Sequence, residues 1–361
     1  MQMTEEQLAA KKKNAGEKKV SMKRRDDHHD YKDRRMYMIT LEVEGRLPVF
    51  GRLAGDAFAE KGSSDEPRIE LSELGKAVEN EWLAIPRHFP QIEIRALQMM
   101  PDHMHGILFV KTPLPVHLGH VISGFKAGCR RALREMAKPL TTVAAKPQPT
   151  EKPSTLACQH VTSPQAAALP SQSIGRLSPS LFAKGYNDLI LRSYNELPIW
   201  QNYLRDNPRR LLMKRARPEW LRPVFDLHIG SYRFSAIGNR DLLSSPWRIA
   251  VRVSRRMSDI EISKAVNYYL EAARKGAVLV SPAISPGEKQ VMRAAFNEGL
   301  PTIVIIENGF TSLSKPHGEQ FHACGRGVLL MLSPFEHHNE KRKVTAEQCR
   351  LMNLMALEIC R

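Results

Sequence analysis

MMPDHMHGILFV, residues 99–110, is an apolar run of strand length that carries His103 and His105. Its length and its aliphatic, aromatic content predict a buried β-strand. A strand sends alternate side chains to opposite faces, so the two imidazoles share one face. Two nitrogen donors side by side on a rigid strand suit a metal ion. Two half-buried histidines satisfied by their neighbours would read the same way, so the pair is decided by what surrounds it.

Upstream, QIEIRALQMM (91–100) leads into the histidine strand. Before it, ELSELGKAVENEWLAI from Glu70 predicts a helix. Leu71, Leu74, Val78, Trp82 and Leu83 fall on one face, and Pro86 ends it. MYMITLEVEGRLPVFG (36–51) alternates as a strand and closes in turn chemistry. Downstream, HLGHVISGFKAGCRRALREMA from His117 predicts a second amphipathic helix whose polar side carries Lys126, Arg130, Arg131 and Arg134. SLFAKGYNDLILRS (180–193) reads as a short strand. NELPIWQNYLRDNPRRLLMKRA (195–216) reads as a helix interrupted at Asn207–Pro208, because proline disfavours helix at the residue before it. Tyr203 and Asn207 lie four apart and share a helix face. An amide oxygen is a fitting third ligand beside two histidines for a hard divalent ion. A tyrosine one turn away offers a nucleophile that would store a phosphodiester as a covalent ester.

The chain has 361 residues, more than one core usually organises, and predicts two domains. Lys plus Arg number 54 against 38 Asp plus Glu, a formal charge of +16 that favours a polyanionic partner. Residues 1–35 hold KKK, KK, KRR and RR clusters with little to build a core, and predict a disordered basic arm. Residues 138–179 are rich in Pro, Ala, Ser, Thr and Gln without period, and predict a flexible insertion. Five scattered cysteines, odd in number and without CxxC spacing, point to a reducing, cytoplasmic setting and away from a disulfide framework. Neither a signal sequence nor an apolar run of spanning length is present, so no membrane role is expected. Arg209, Arg210, Lys214, Arg215 and Arg217 follow Asn207 at once and predict contacts to a nucleic-acid backbone.

On PDHMHGIL, GYNDLILRS and YLRDNP, in that order, residues 36–224 resemble the REP-associated tyrosine transposases, within the HUH single-tyrosine transposases of the insertion-sequence type. The resemblance implies an α+β ferredoxin-like domain with an antiparallel sheet. It implies Mg²⁺ or Mn²⁺ held by His103, His105 and Asn207, and Tyr203 as the nucleophile. The substrate implied is single-stranded DNA with hairpins or palindromic repeats, cut to a 5′-phosphotyrosine and a free 3′-hydroxyl in a bacterial, nucleoid-associated setting. One departure stands out. Many members carry a Tyr-His-Asp-His pattern before the tyrosine helix, where this chain has Tyr186-Asn187-Asp188-Leu189. The 138–179 insertion would let the tyrosine helix reach a second copy, as in members that are homodimers.

From residue 230 onward, strand-like and helix-like runs alternate and predict an α/β domain with a parallel sheet covered on both faces. WRIAVRVS, AVLVSPA, PTIVIIENG and GVLLMLSP are the strands. SDIEISKAVNYYLEAARKG is a helix capped by Ser258 and Gly276, and TAEQCRLMNLMALEIC is the last helix. Residues 235–361 resemble, more loosely, the Rossmann-like core of the DNA-processing family of natural transformation. Members have Gly-Ser-Arg where this chain has Val253-Ser254-Arg255, and Val-Ser-Gly-x-Ala where it has Val280-Ser281-Pro282-Ala283. The resemblance implies an accessory phosphate-binding or scaffold domain, with Ser254 and Arg255 as its phosphate contacts. There is no GxGxxG, which argues against a dinucleotide enzyme. His317, His322 and Cys324 read as loop residues, and Tyr268–Tyr269 as a core-and-surface pair.

The sequence therefore predicts domains at 36–225 and 230–361. Three functions compete: a metal-dependent tyrosine transposase and nuclease, a non-catalytic domesticated DNA-binding protein, and a metal-dependent nucleic-acid hydrolase using water.

Overall fold

The computed structural model describes residues 26, 28–137, 180–340 and 342–361. The 138–179 insertion and most of the basic arm lie outside them. The arm is nevertheless shorter than expected. Tyr31 is 3% exposed and belongs to the first core, so residues 28–35 are folded. Its hydroxyl donates to Asp188 Oδ2 (2.7 Å), and its ring stacks on Tyr37. A phenol with a ring partner and a carboxylate acceptor can be buried at low cost, which a charge count cannot register.

The chain divides into two compact units, residues up to Pro208 and Arg209–Arg361. In the first, β1 (Met36–Glu42) is followed by a hairpin of β2 (Gly51–Ala54) and β3 (Arg68–Leu71). Next come α1 (Glu73–Leu83), a helical turn at Ile85–His88, β4 (Ile92–Met99) and β5 (His103–Val110). Then follow α2 (Leu118–Met136), β6 (Asn187–Leu191) and α3 (Glu196–Ala216). The strands lie in the order β4-β5-β1-β6, every pair antiparallel. Without the hairpin, the chain order is β1-α1-β4-β5-α2-β6.

Alternation decides which face of this sheet is covered by what. Tyr37, Ile39 and Leu41 of β1 and Met104, Leu108 and Val110 of β5 meet Leu74, Val78 and Trp82 of α1 and Val121, Ile122 and Phe125 of α2. On the opposite face Met36, Met38, Phe109 and Leu191 pack against Leu197 and Trp200 of α3. Ser72 caps α1 by accepting from Gly75 N, and His117 Nδ1 caps α2 from Gly119 N. The expected start of α1 at Glu70 is corrected: Arg68–Leu71 pair with β2 instead. The expected interruption of α3 is corrected too. Pro208 removes only its own N–H bond, the neighbouring bonds carry the helix through to Ala216, and the division between units falls there instead.

The second unit has a mixed six-stranded sheet ordered β7-β8-β12-β11-β10-β9. β9 (Arg248–Ala250), β10 (Val278–Ser281), β11 (Thr302–Ile305) and β12 (Leu329–Ser333) are parallel, as the alternating pattern predicts. The antiparallel hairpin β7 (Val224–Ile229) and β8 (Tyr232–Gly238) was not anticipated, and it places sheet residues ahead of the expected start at 230. Its signal is the two-residue turn opened by Gly230 at φ 55°. α4 (Asp259–Arg274) and α5 (Pro286–Asn297) share a core with one face of the sheet. α7 (Ala346–Ile359) covers the other, and α6 (Gly318–Gly325) makes a helix of what read as a loop. Ser258, Ser285 and Thr345 each form a reciprocal capping box. Among the described residues, no helix is long and apolar enough to cross a membrane, and Cys129, Cys324, Cys349 and Cys360 are free thiols.

Gly106 fixes how closely β5 meets α1. A Cβ there would sit 2.2 Å from Cζ2 of Trp82, whose ring is wedged edge-on against Phe125. Gly106→Ala is expected to cost about 1–3 kcal/mol by overpacking. A lowered urea midpoint at unchanged slope would register it.

Candidate active site

His103 and His105 project from the same face of β5, with ring centroids 4.9 Å apart and planes at 86°. Each ring is tied to the protein through Nδ1. Asp102 Oδ1 lies 2.6 Å from Nδ1 of His103, and Thr40 Oγ1 lies 2.8 Å from Nδ1 of His105. The nitrogen left open on each ring is Nε2. Burial, reinforced by His103 and Arg46, lowers the His105 pKa to about 4. Its imidazole is therefore neutral near pH 7 and keeps a lone pair, the form that ligates a metal. Among the described residues, no three His, Cys, Asp or Glu side chains converge into a metal cluster.

Register places α3 over this same face. Phe109 has the parity of His103 and His105, and it packs against Trp200. Gln201 Nε2 donates to the Arg95 carbonyl of β4 (2.9 Å), pinning the helix to the sheet edge. Farther along, Arg205 and Pro208 share a cleft of about 470 Å³ with Leu97, Gln98 and Met99, and Gln98 is the registered partner of His105. The helix thus begins against the face that carries the histidines, through Trp200, and its Arg205–Pro208 stretch passes the β4 edge at the level of Gln98. Tyr203 is 41% exposed and meets the Trp200 ring edge-on at 5.6 Å, whereas Asn207 is buried. Asn187, where the resemblance expects a histidine, is exposed and registers with Thr40, which in turn registers with His105.

The basic residues separate into two kinds. Arg130, Arg131 and Arg134 on α2 are exposed. Lys126 is not one of this set in its environment: Nζ donates to the Ala183 and Gly185 carbonyls (2.8 and 2.6 Å) and lies over the Phe182 ring. Burial and then Arg130 lower its pKa. Arg209 is 5% exposed. In the second unit Arg210 sits 3.9 Å above the Phe321 ring with Lys214 beside it, a cation–π arrangement. Ser254 and Arg255 are exposed in the loop after β9, where Ser254 Oγ accepts from Arg256 N. The sequence reading passed over Thr40, Asp102, Arg46 and Gln98. Asp102 was the legible one, since it directly precedes the first histidine. Thr40 and Gln98 become neighbours of His105 only through strand register.

No protein-family model matches the chain. A curated relative, an uncharacterized protein of Haemophilus influenzae, is 27% identical over 121 residues, 28% of this chain and 61% of the relative. The chain thus spans about three fifths of that relative's length. A solved REP-associated tyrosine transposase bound to a REP hairpin is similar over 50% of this chain and 70% of its own, with 12% identity and a TM-score of 0.27. DNA processing protein A from Helicobacter pylori, solved for its single-stranded DNA binding mode, is similar over 36% of this chain and 57% of its own, with 17% identity and a TM-score of 0.27.

The two kinds of basic residue predict different phenotypes. Lys126→Met removes two charge-assisted bonds and is expected to destabilise the fold by about 1–3 kcal/mol. Arg130→Ala with Arg131→Ala is expected to leave stability within about 0.5 kcal/mol. The double variant should instead flatten the salt dependence of binding to labelled single-stranded DNA. Thermal melts and fluorescence anisotropy across a salt series compare the two.

Proposed function

We propose that the first unit cuts and rejoins single-stranded DNA, hairpin-containing DNA above all, through Tyr203. The observation that carries this reading is the pair of imidazoles anchored at Nδ1 on the sheet face against which α3, the helix that bears Tyr203, packs through Trp200. The strand order β4-β5-β1-β6 on a β-α-β-β-α-β chain supports the ferredoxin-like expectation. The formal charge of +16 supports a polyanionic partner.

In this reading His103, His105 and Asn207 hold Mg²⁺ or Mn²⁺. When bound, the ion supplies positive charge at the scissile phosphate. Tyr203 Oη attacks phosphorus. The Oη–P bond forms, the bond from phosphorus to the 3′-oxygen breaks, the phenol proton is lost and the leaving oxygen takes one up. The products are a 5′-phosphotyrosine and a free 3′-hydroxyl, and reversal on another 3′-end rejoins the strand. The exposure of Tyr203 suits it to a strand laid along α3. Arg130, Arg131 and Arg134 hold the backbone without reading sequence, in one copy of the chain or a homodimer. The second unit is an accessory DNA-binding domain with Ser254 and Arg255 as phosphate contacts.

A second reading, DNA binding without cleavage, is favoured by one observation, the exposed Asn187 on the row of His105 and Thr40 where the resemblance to the tyrosine transposases leads to a histidine.

Covalent trapping separates these readings. Labelled hairpin oligonucleotides, the full chain and Mn²⁺ are expected to yield a denaturant-resistant adduct. Tyr203→Phe should abolish it outright, and His105→Ala should reduce it at least about 100-fold. Tight binding with no adduct supports the second reading. Cleavage that survives Tyr203→Phe and fails in His103→Ala supports hydrolysis by water.

A further inference from the structure

Asp102 sits at the mouth of β5 and belongs to a chain of charged contacts that the proposed reaction does not itself use. Its Oδ1 is 2.6 Å from Nδ1 of His103, and its Oδ2 is 3.4 Å from Nη1 of Arg46. Nη2 of the same guanidinium donates to Glu42 Oε1 at 2.5 Å, and Glu42 is the registered partner of His103 on β1. The turn that delivers Arg46 is unusual. Gly45 and Arg46 are both left-handed, with φ of 68° and 58°, and Arg46 is one of three non-glycine residues with positive φ among the described residues. A side-chain-bearing residue holds that conformation only where its surroundings impose it. Here the turn is held by Val43 N donating to the Asp102 carbonyl and Arg46 N to that of Val43. The result is a guanidinium placed between two carboxylates.

A carboxylate only accepts hydrogen bonds, so the short contact requires His103 to donate from Nδ1. In the neutral ring the lone pair is then on Nε2. Thr40 imposes no such condition on His105, because a hydroxyl either donates or accepts. The two histidines are therefore not equivalent, and only one has its tautomer set by the protein.

We infer that Asp102 is the positioning residue that locks His103 in the Nδ1–H tautomer with Nε2 presented as the donor, and that Arg46 holds the Asp102 carboxylate in place. The assignment rests on the His pair being ligands, the reading given above, but its structural half is tested without metal. Nitrogen-15 NMR of the full chain labelled at histidine, near neutral pH, is expected to show His103 as Nδ1–H in the wild type. Asp102→Ala should release it to a tautomer mixture, while Asp102→Asn, which keeps an acceptor oxygen, should retain Nδ1–H. Mn²⁺ titration by calorimetry should then show affinity about 10–100-fold weaker in Asp102→Ala and within a few-fold of wild type in Asp102→Asn. Arg46→Gln, at a residue that hydrogen-bonds Asp102 and Glu42 rather than either ring, should shift the tautomer in the same direction as Asp102→Ala but less. An Nε2–H tautomer in the wild type, or an Asp102→Ala variant that keeps both tautomer and affinity, overturns the inference. A wild type that takes up no Mn²⁺ sinks the metal reading, and the tautomer then decides Asp102 alone.

Discussion

The two faces of β5 are the constraint on which the first unit depends. Met104, Gly106, Leu108 and Val110 have to meet the α1–α2 layer, and Gly106 leaves no slack against Trp82. The two-residue period then sends His103 and His105 to the other face, whatever their chemistry. A slip of one residue would bury both imidazoles under Trp82 and expose Met104. The energetics of an apolar core therefore specify the direction of two polar side chains that contribute little to that core. Fold and site are coupled here through register rather than through contacts.

The second face is built to a different standard. Its apolar cluster is small, Met36, Phe109 and Leu191 with Met38, Leu197 and Trp200 around them, and it occupies the end of the sheet away from the histidines. Beyond it the α3 stretch runs beside polar rows and a cleft instead of a sealed layer. A helix fastened at one end by aromatics and by Gln201 on the β4 edge is held along its axis, with Tyr203 on its exposed side and Leu204 and Asn207 buried. Such an arrangement keeps Tyr203 partly exposed and still oriented by the Trp200 ring. A fully packed second face would be more stable and would leave Tyr203 no exposed surface.

What could be read from sequence follows from which interactions are local. Amphipathic spacing and capping residues are local, so α1, α2, α4 and α7 were legible, and Ser258 caps α4 as its position suggested. The parallel strands β9 to β12 announced themselves as short aliphatic runs between helices. The β2–β3 hairpin did not, because Arg68–Leu71 carry mixed polarity and pair only with a segment some fifteen residues earlier. Tyr31 was lost for a related reason: its partners Tyr37 and Asp188 are supplied by strands β1 and β6, whose adjacency no local pattern shows. At the site, the histidine pair and its face were legible from a period of two. Thr40 and Gln98 were not, since register across three strands is a property of the sheet.

Charge along the sequence is a poor guide to which cations face solvent, and the reason is physical. A cation counts equally toward net charge whether it faces solvent or caps a carbonyl. Lys126, Arg209 and Arg210 lie in one sequence class with Arg130, Arg131 and Arg134, yet the first spends its protons on two loop carbonyls, the second is buried and the third lies flat on Phe321. Long basic side chains carry apolar stems and planar faces that pack well, so a cluster of them on a helix divides between building the fold and facing the polyanion. The division here follows the helix period. Lys126 and Cys129 of α2 turn toward the protein, and Arg130, Arg131 and Arg134 turn away from it. The count of +16 thus overstates the surface field at these helices, and of the α2 cations named here the three exposed arginines are what the helix presents to solvent.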